Sequence, residues 1–352
     1  MSANATNNAP AIGIKQFTLD VLNGSSLGVV VALIPAALTS QILALFPGNH
    51  VAGAITMMVT VAQSLLSVFA AMAVGHMLRL ETLDAACIAL ATFVSSGAIT
   101  TSKGAFVLNG TGSILNIMLT TFISAAMVLL IHRHLGQLKL VIEPTIVLII
   151  GGGIGILTLP AMVAVQTFVG QLVASATHLT PILMGIVLGI IFAVLIVSPL
   201  SSVGIAMAIA LTGIGSGAAN AGIVVASFTL AWIGASANPL GGTLAHFLGS
   251  PKIQMANMLR RPLLFVPVII GAGICGGAAS LLQMNGTPFS AGFGFAGLIG
   301  PLTALQQSHG VLVWLRVLLT FVVIPVLAAG GLKWLFVNQL GWIKPQDAQL
   351  GE

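Results

Sequence analysis

Charge is what this sequence lacks most. Only 11 Lys plus Arg and 6 Asp plus Glu stand among 352 residues, so charged residues make up 5% of the chain, against roughly 25% in an ordinary soluble domain. A soluble globule of this size could not cover its surface with so few charges. A hydrophobic share of 57% and a mean hydropathy of +1.12 exclude intrinsic disorder as well. The chain reads as an all-α, polytopic integral membrane protein.

Other absences narrow the function. The eleven basic residues are scattered, with no aromatic-rich basic stretch, so the net charge of +5 implies no nucleic-acid partner. Cysteine is scarce: Cys87 and Cys275 stand singly inside apolar runs, without CxxC or metal-ligand spacing. Met1 to Pro10 lacks the charged start, apolar centre and cleavage site of a signal peptide. No Asp or Glu lies between Glu143 and Asp347, so no buried acid there can hold a proton or sodium ion. Nucleophile elbow, zincin helix and Walker loop are all missing. We therefore expect no catalytic residue, metal site or cofactor of the chain's own. Gly151-Gly152-Gly153-Ile154-Gly155 lies inside an apolar span and not after a strand, so it fails as a dinucleotide loop. His132 and His134 form an HxH pair without further ligands nearby.

What is present is apolar length. A helix crossing a ~30 Å hydrocarbon core needs about 20 apolar residues. Six segments of the first 200 residues fit: 27–46, 51–74, 83–100, 112–131, 145–168 and 181–200. Residues 11–25, with Lys15 and Asp20, read as an amphipathic lead-in helix. Lys15, Arg79, Arg133 and Lys139 fall in alternate loops, with Lys103 the exception, which puts the N-terminus in the cytoplasm. Glu81 and Asp84 beside Arg79 read as a solvated turn, and Glu143 before Pro144 as a helix start or a coupling residue.

The second half is less regular. Residues 203–235 are mostly apolar but interrupted by Gly213, Gly215, Gly217 and Asn220. The next polar stretch carries Lys252, Arg260 and Arg261 and should be cytoplasmic again. A re-entrant hairpin with its tip near Gly215 to Asn220 reconciles length and charge. Residues 263–282 then cross outward, and 287–308, broken by Pro288, Gly292, Gly294, Gly297, Gly300 and Pro301, form a second hairpin entering from outside. A last span at 311–331 returns inward, with Arg316 snorkelling or acting as a functional charge. The stretch 332–343, with Trp334 and Trp342, follows as an interfacial helix. The expectation is about eight to ten transmembrane helices with two re-entrant hairpins. It divides into a tail and lead-in helix at 1–26, a scaffold-like half at 27–180, a transport-like half at 181–331 and a cytoplasmic tail at 332–352.

Gly- or Pro-interrupted spans point to a central solute site, although small residues also permit close helix packing. The stretch 95–114 is a third candidate on the same grounds. The polar side chains that accompany these breaks are amides, hydroxyls and imidazoles: Asn109, Asn116, Ser201, Ser202, Asn220, Asn238, His246, Asn257, Gln306 and His309. Such groups suit a neutral, hydroxyl-rich solute. For each of them, helix capping is the competing role, and for Asn220 in particular both remain open.

Ser198-Pro199-Leu200-Ser201-Ser202, the run from Gly213 to Gly222, Asn238-Pro239-Leu240-Gly241-Gly242 and Gln254-Met255-Ala256-Asn257 together carry a resemblance. In this order they resemble the membrane-embedded IIC-type proteins of the bacterial phosphotransferase system, most of all the branch that includes the perfringolysin O regulator proteins. The resemblance covers about residues 15 to 340. It implies a permease of the bacterial inner membrane for a sugar-type solute, working by alternating access. It further implies a homodimer, an elevator-type mobile half against a fixed scaffold, and separate IIA and IIB partner proteins. Ser201, Asn220, Asn238 and Asn257 carry over as cavity residues. Glucose-type IIC domains hold sugar hydroxyls with a Glu in the second half, and this chain has none there. The alternative function is a membrane-embedded solute sensor or regulator.

Overall fold

A bilayer offers the backbone no hydrogen-bond partners, so an apolar chain must satisfy its peptide groups within helices. The computed structural model describes residues 13–44, 46, 48–102, 104–131 and 135–350. Helix dominates. Among the described residues, six helices are long and apolar enough to span a membrane, a bent pair would make a seventh if it crosses as one span, and Thr82–Ser95 and Pro181–Ile196 are shorter apolar helices.

The lead-in helix and first span expected separately form one helix, α1 (Ile14–Ala44). The Gly24-Ser25-Ser26 stretch between them does not break it, because its small residues are the contact face: a Cβ on Gly24 would lie 2.6 Å from Val74, and one on Gly28 2.2 Å from Ala70. The second span is split into α2 (His50–Ser64) and α3 (Leu66–Met77), bent by 51° at Leu65. Asn49 caps α2 by accepting from the backbone N–H of Val51 and Ala52.

After α4 (Thr82–Ser95) comes an exposed antiparallel ribbon, β1 (Ile99–Ser102) and β2 (Ala105–Leu108), where the third broken stretch was expected. α5 (Ile114–Ile131) follows. α6 (Lys139–Ile146) runs through a π turn, Val147–Gly152, into α7 (Gly153–Ala176). Two acids here sit differently from expectation. Asp84 is buried and paired with Lys139 at 2.6 Å, so it is not a solvated turn residue. Glu143 lies inside α6 and is fully buried, so it does not start a helix. Lys103, Arg133, His132 and His134 lie outside the described residues.

Three helices form the centre of the second half: α8 (Pro181–Ile196), α10 (Gly213–Gly234) and α13 (Phe265–Leu281). Glycines let them touch. A Cβ on Gly222 would lie 2.1 Å from the Gly189 carbonyl oxygen, and one on Gly276 2.2 Å from that of Gly185. The contacts also fix direction. Gly185 meets Gly276 and Ser280, whereas Gly189 meets Ala272, so α8 and α13 are antiparallel. Gly217 meets Met284 and Gly271 meets Val225, so α10 is antiparallel to α13 and parallel to α8.

The first hairpin has its turn elsewhere than expected. Its rising arm is α9 (Ser202–Ala208), the turn lies at 209–213, and the descending arm is the whole of α10. Ala210 and Gly213 take positive φ at the turn, and Gly213 pairs with Gly286 through two 3.0 Å backbone bonds. Gly215, Gly217 and Asn220 are therefore helical. α10 spans 22 residues, about 33 Å, and is buried over nearly its whole length. The chain still returns to its side of entry, because α8 and α10 run the same way.

α11 (Leu240–Leu248) and α12 (Met255–Arg260) fill the polar loop before α13. The second broken segment doubles back as expected. It leaves Gly286, passes positive-φ residues at Gly294, Gly297 and Leu298, and returns along α14 (Ile299–Gln307). Its two ends meet where Asn285 N–H donates to Ser308 Oγ at 2.9 Å. Phe295 near its turn packs edge-on against Phe228 of α10 and Phe247 of α11. The last span joins α15 (Val313–Leu318) and α16 (Ile324–Lys333) through a π turn, Leu319–Val323, and continues to Gln339. The region expected as a separate interfacial helix begins as the end of that span. The largest buried cluster gathers residues from Val173 to Ala348, while Phe17 to Val147 supply a separate one.

Candidate functional site

The end of α8 is set by chemistry local to Ser198-Pro199. Proline cannot continue the helix ladder, and Ser198 Oγ accepts from Leu200 N–H at 3.2 Å to make the turn. Ser201 then caps α9, its Oγ accepting from Gly204 N–H at 2.9 Å. Ser202 turns the other way and donates to the Gly292 carbonyl at 2.9 Å. That bond ties α9 to the second hairpin, where Gly292 is so close that a Cβ would lie 2.3 Å from the Val203 nitrogen.

This turn faces a cavity of about 290 Å³. One wall comes from the first half: Val29 and Leu33 of α1, Gln63 of α2, and Thr111 and Ile114 at the head of α5. The opposite wall comes from the second half: Ser201 to Gly204, Lys252, and Phe289, Phe293 and Ala296 of the second hairpin. Most of the lining is apolar, with hydroxyls, one amide and one amine as the polar side chains, a balance usual for small-molecule sites.

Lys252 is the residue that sequence reasoning missed. It served there only as a cytoplasmic charge, one basic residue in a basic loop. Here it is 2% exposed. Ser250 Oγ accepts from its backbone N–H at 3.2 Å, which starts the turn Pro251–Gln254. Its Nζ donates to the carbonyls of Ser198 at 2.5 Å and Leu200 at 3.0 Å. Burial pushes its ammonium down from 10.5 to about 7, while the two carbonyls favour the charged form. No pattern in Gly249-Ser250-Pro251-Lys252 distinguishes a buried lysine from a solvated one.

Of the ten residues expected at the site, Ser201 and Ser202 line this cavity. Asn116 is buried and fully used: it donates to Ser95 O and Gly155 O and accepts from Thr158 Oγ1, joining α4, α5 and α7. Asn220 accepts from Gly294 N–H at 3.1 Å and donates to Ser290 Oγ at 3.3 Å, which pins the second hairpin to α10. Asn109, Gln306 and His309 are exposed. Arg316 reaches back from α15 to the carbonyls of His309 and Leu282.

The remaining three surround the C-terminal tail. Asn238 donates to Gly234 O and Ala348 O and accepts from Leu350 N–H. Asn257 donates to Gln254 Oε1 and Gln349 O, both at 2.7 Å. His246 Nδ1–H donates to Gly242 O at 2.9 Å, so its Nε2 accepts from Gln254 Nε2 at 2.9 Å. Burial pushes His246 down to about 4, and the ring is neutral at physiological pH. Arg261 pairs with Asp347 at 3.1 Å beside this network. These amides fasten the tail to the polar loop.

Residues 19–350 match the family model of the phosphotransferase system, EIIC. The chain belongs to that family, which accounts for its membrane-embedded, almost wholly helical architecture. No curated protein matches the chain.

Proposed function

We propose, with that membership as premise, that the chain is the permease component of a phosphotransferase system for a small, sugar-type solute. The observation that carries this is the cavity between the two halves, with Gln63 and Thr111 on one wall and Ser201 and Ser202 on the other. A cavity with walls on two bodies can open to one side when those bodies shift. The two largest buried clusters draw on different parts of the chain, Phe17 to Val147 and Val173 to Ala348, and a smaller third seats Met255 of the second half against α1, α3 and α5. Residues 27–180 would act as scaffold and 181–331 as the mobile half, the working parts of alternating access.

Family membership implies IIA and IIB proteins as phosphoryl donors, since no nucleophile or metal site was legible in the sequence. A homodimer with both termini in the cytoplasm completes the reading. Uptake of a labelled sugar panel into proteoliposomes, with and without soluble phosphotransferase proteins, tests it. Accumulation of one sugar as its phosphate, dependent on those proteins, is the expected result. Binding without uptake in every condition would leave the sensor reading in its place.

A further inference from the structure

A cavity selects by the hydrogen-bonding groups it leaves unused. Ser202 spends its hydrogen on Gly292 O. Ser201 and Ser250 use their oxygens to accept from Gly204 N–H and Lys252 N–H, so each hydroxyl hydrogen remains to be given. Lys252 has three N–H donors, and two go to Ser198 O and Leu200 O. One N–H is left. Ser201, Ser250 and Lys252 therefore place three unspent donors together on one wall of the cavity, while Thr111 spends its hydrogen on Gly112 O and the Gln63 amide offers donors and an acceptor alike.

The charge of the cavity is equally one-sided. Among the described residues that line the cavity, Lys252 is the single ionisable side chain and none is a carboxylate. Among the described residues, Lys252 has no carboxylate within ion-pair distance. The turn that holds it packs against α1, α10, α11 and α12. Those helices carry Lys15 and Asp20, no titratable group, His246 and Arg260 respectively. Asp20 bonds to Gln16, and His246 is committed to Gln254 and backbone carbonyls. A buried ammonium without a counter-charge is unfavourable, and a bound anion relieves it.

We infer that the solute carries an anionic oxygen group, a carboxylate or a phosphate, on its polyol, and that Lys252 receives that group. The inference rests on the cavity being the solute site. Phe289 and Phe293, with ring centroids 5.0 Å apart, supply an apolar wall for the C–H face of the same molecule. Burial holds the Lys252 ammonium down to about 7, so anion binding draws in a proton near neutrality. Affinity should then fall as pH rises above that value.

The test is equilibrium binding to the purified full chain of glucose, galactose and mannose, each beside its uronate and its 6-phosphate. It is run at about pH 6 and about pH 8.5, on either side of the Lys252 titration. Expected is an anionic sugar bound at least about tenfold more tightly than its neutral parent, with the preference shrinking at the higher pH. Lys252→Met should abolish the preference. Lys252→Arg should keep it and lose the pH dependence, because guanidinium stays charged. Tight binding confined to 6-phosphates identifies a phosphorylated solute; tight uronate binding identifies a carboxylated one. If a neutral sugar binds as well as its anionic forms, the inference is overturned and the permease reading stands. If no sugar of any kind binds, both fall. Should Lys252→Met fail to fold, the wild-type preference and its pH profile decide alone.

Discussion

Asn220, two turns into α10, accepts a hydrogen bond from the backbone N–H of Gly294 in the second hairpin. The contact joins positions 74 residues apart in the chain and holds irregular backbone against a buried helix. Removing the acceptor leaves a buried N–H without a partner, which costs about 1–3 kcal/mol. Asn220→Ala should lower the thermal midpoint and speed proteolysis of the 286–308 segment. Asn220→Asp keeps the acceptor but adds charge at membrane depth, at roughly 2.5–3.5 kcal/mol if ionised. An unchanged melting curve for Asn220→Ala would show that the hairpin is held by other contacts.

Close packing of α8 and α10 depends on Gly222. A side chain there must displace the Gly189 carbonyl, 2.1 Å from its Cβ. Gly222→Val should destabilise the protein by about 1–3 kcal/mol or more, the usual range for overpacking. Gly331→Ala, at a helical position with nothing within 4 Å of the added Cβ, is the control and should be neutral or slightly stabilising. Equal melting midpoints for the two variants would contradict the packing account.

Stability should respond to pH through Lys252. Burial lowers its folded pKa from 10.5 to about 7. Between those values the unfolded chain binds the extra proton, so stability rises with pH across that window and is lost as pH falls toward 7. Lys252→Met removes the group. The stability of wild type relative to this variant should therefore climb from about pH 7 to about pH 10 and be flat below. A flat difference across the whole range would mean that the ammonium keeps its ordinary pKa.

Most span positions were legible in the sequence because apolar length is a direct signal. The second hairpin was legible too, since Pro288 and Pro301 join four glycines in a pattern that no plain helix would carry. The first turn was misplaced for a physical reason. Gly215, Gly217 and Gly222 serve helix contact, which looks in one dimension the same as chain reversal. The actual turn at 209–213 has a single glycine, Gly213, and an alanine at positive φ. The cavity was only partly legible: Ser201 and Ser202 follow a proline break, but Gln63, Thr111 and Lys252 meet there through tertiary packing alone. Asn116 and Asn238 read as solute ligands because a buried amide satisfied by distant carbonyls has the same sequence signature.

Direction of the helices gives a topology test. α13 separates Arg260 from Val311, which stands beyond the second hairpin and is 86% exposed. Single cysteines at these positions, in a background lacking Cys87 and Cys275, should label from opposite faces: 260 from the cytoplasm and 311 from outside. Labelling of both from one face would mean that the 286–308 segment crosses fully.

The central claim is that the cavity between the halves is the solute site and opens in turn to each side. Val203 lines it between Ser202 and Gly204. The direct measurement is the reaction of a cysteine at position 203 with membrane-impermeant thiol reagents, applied separately from each face, with and without the transported solute. The account predicts reaction from both faces, slowed from both by saturating solute. Reaction from one face in every condition, at a rate indifferent to solute, would contradict it.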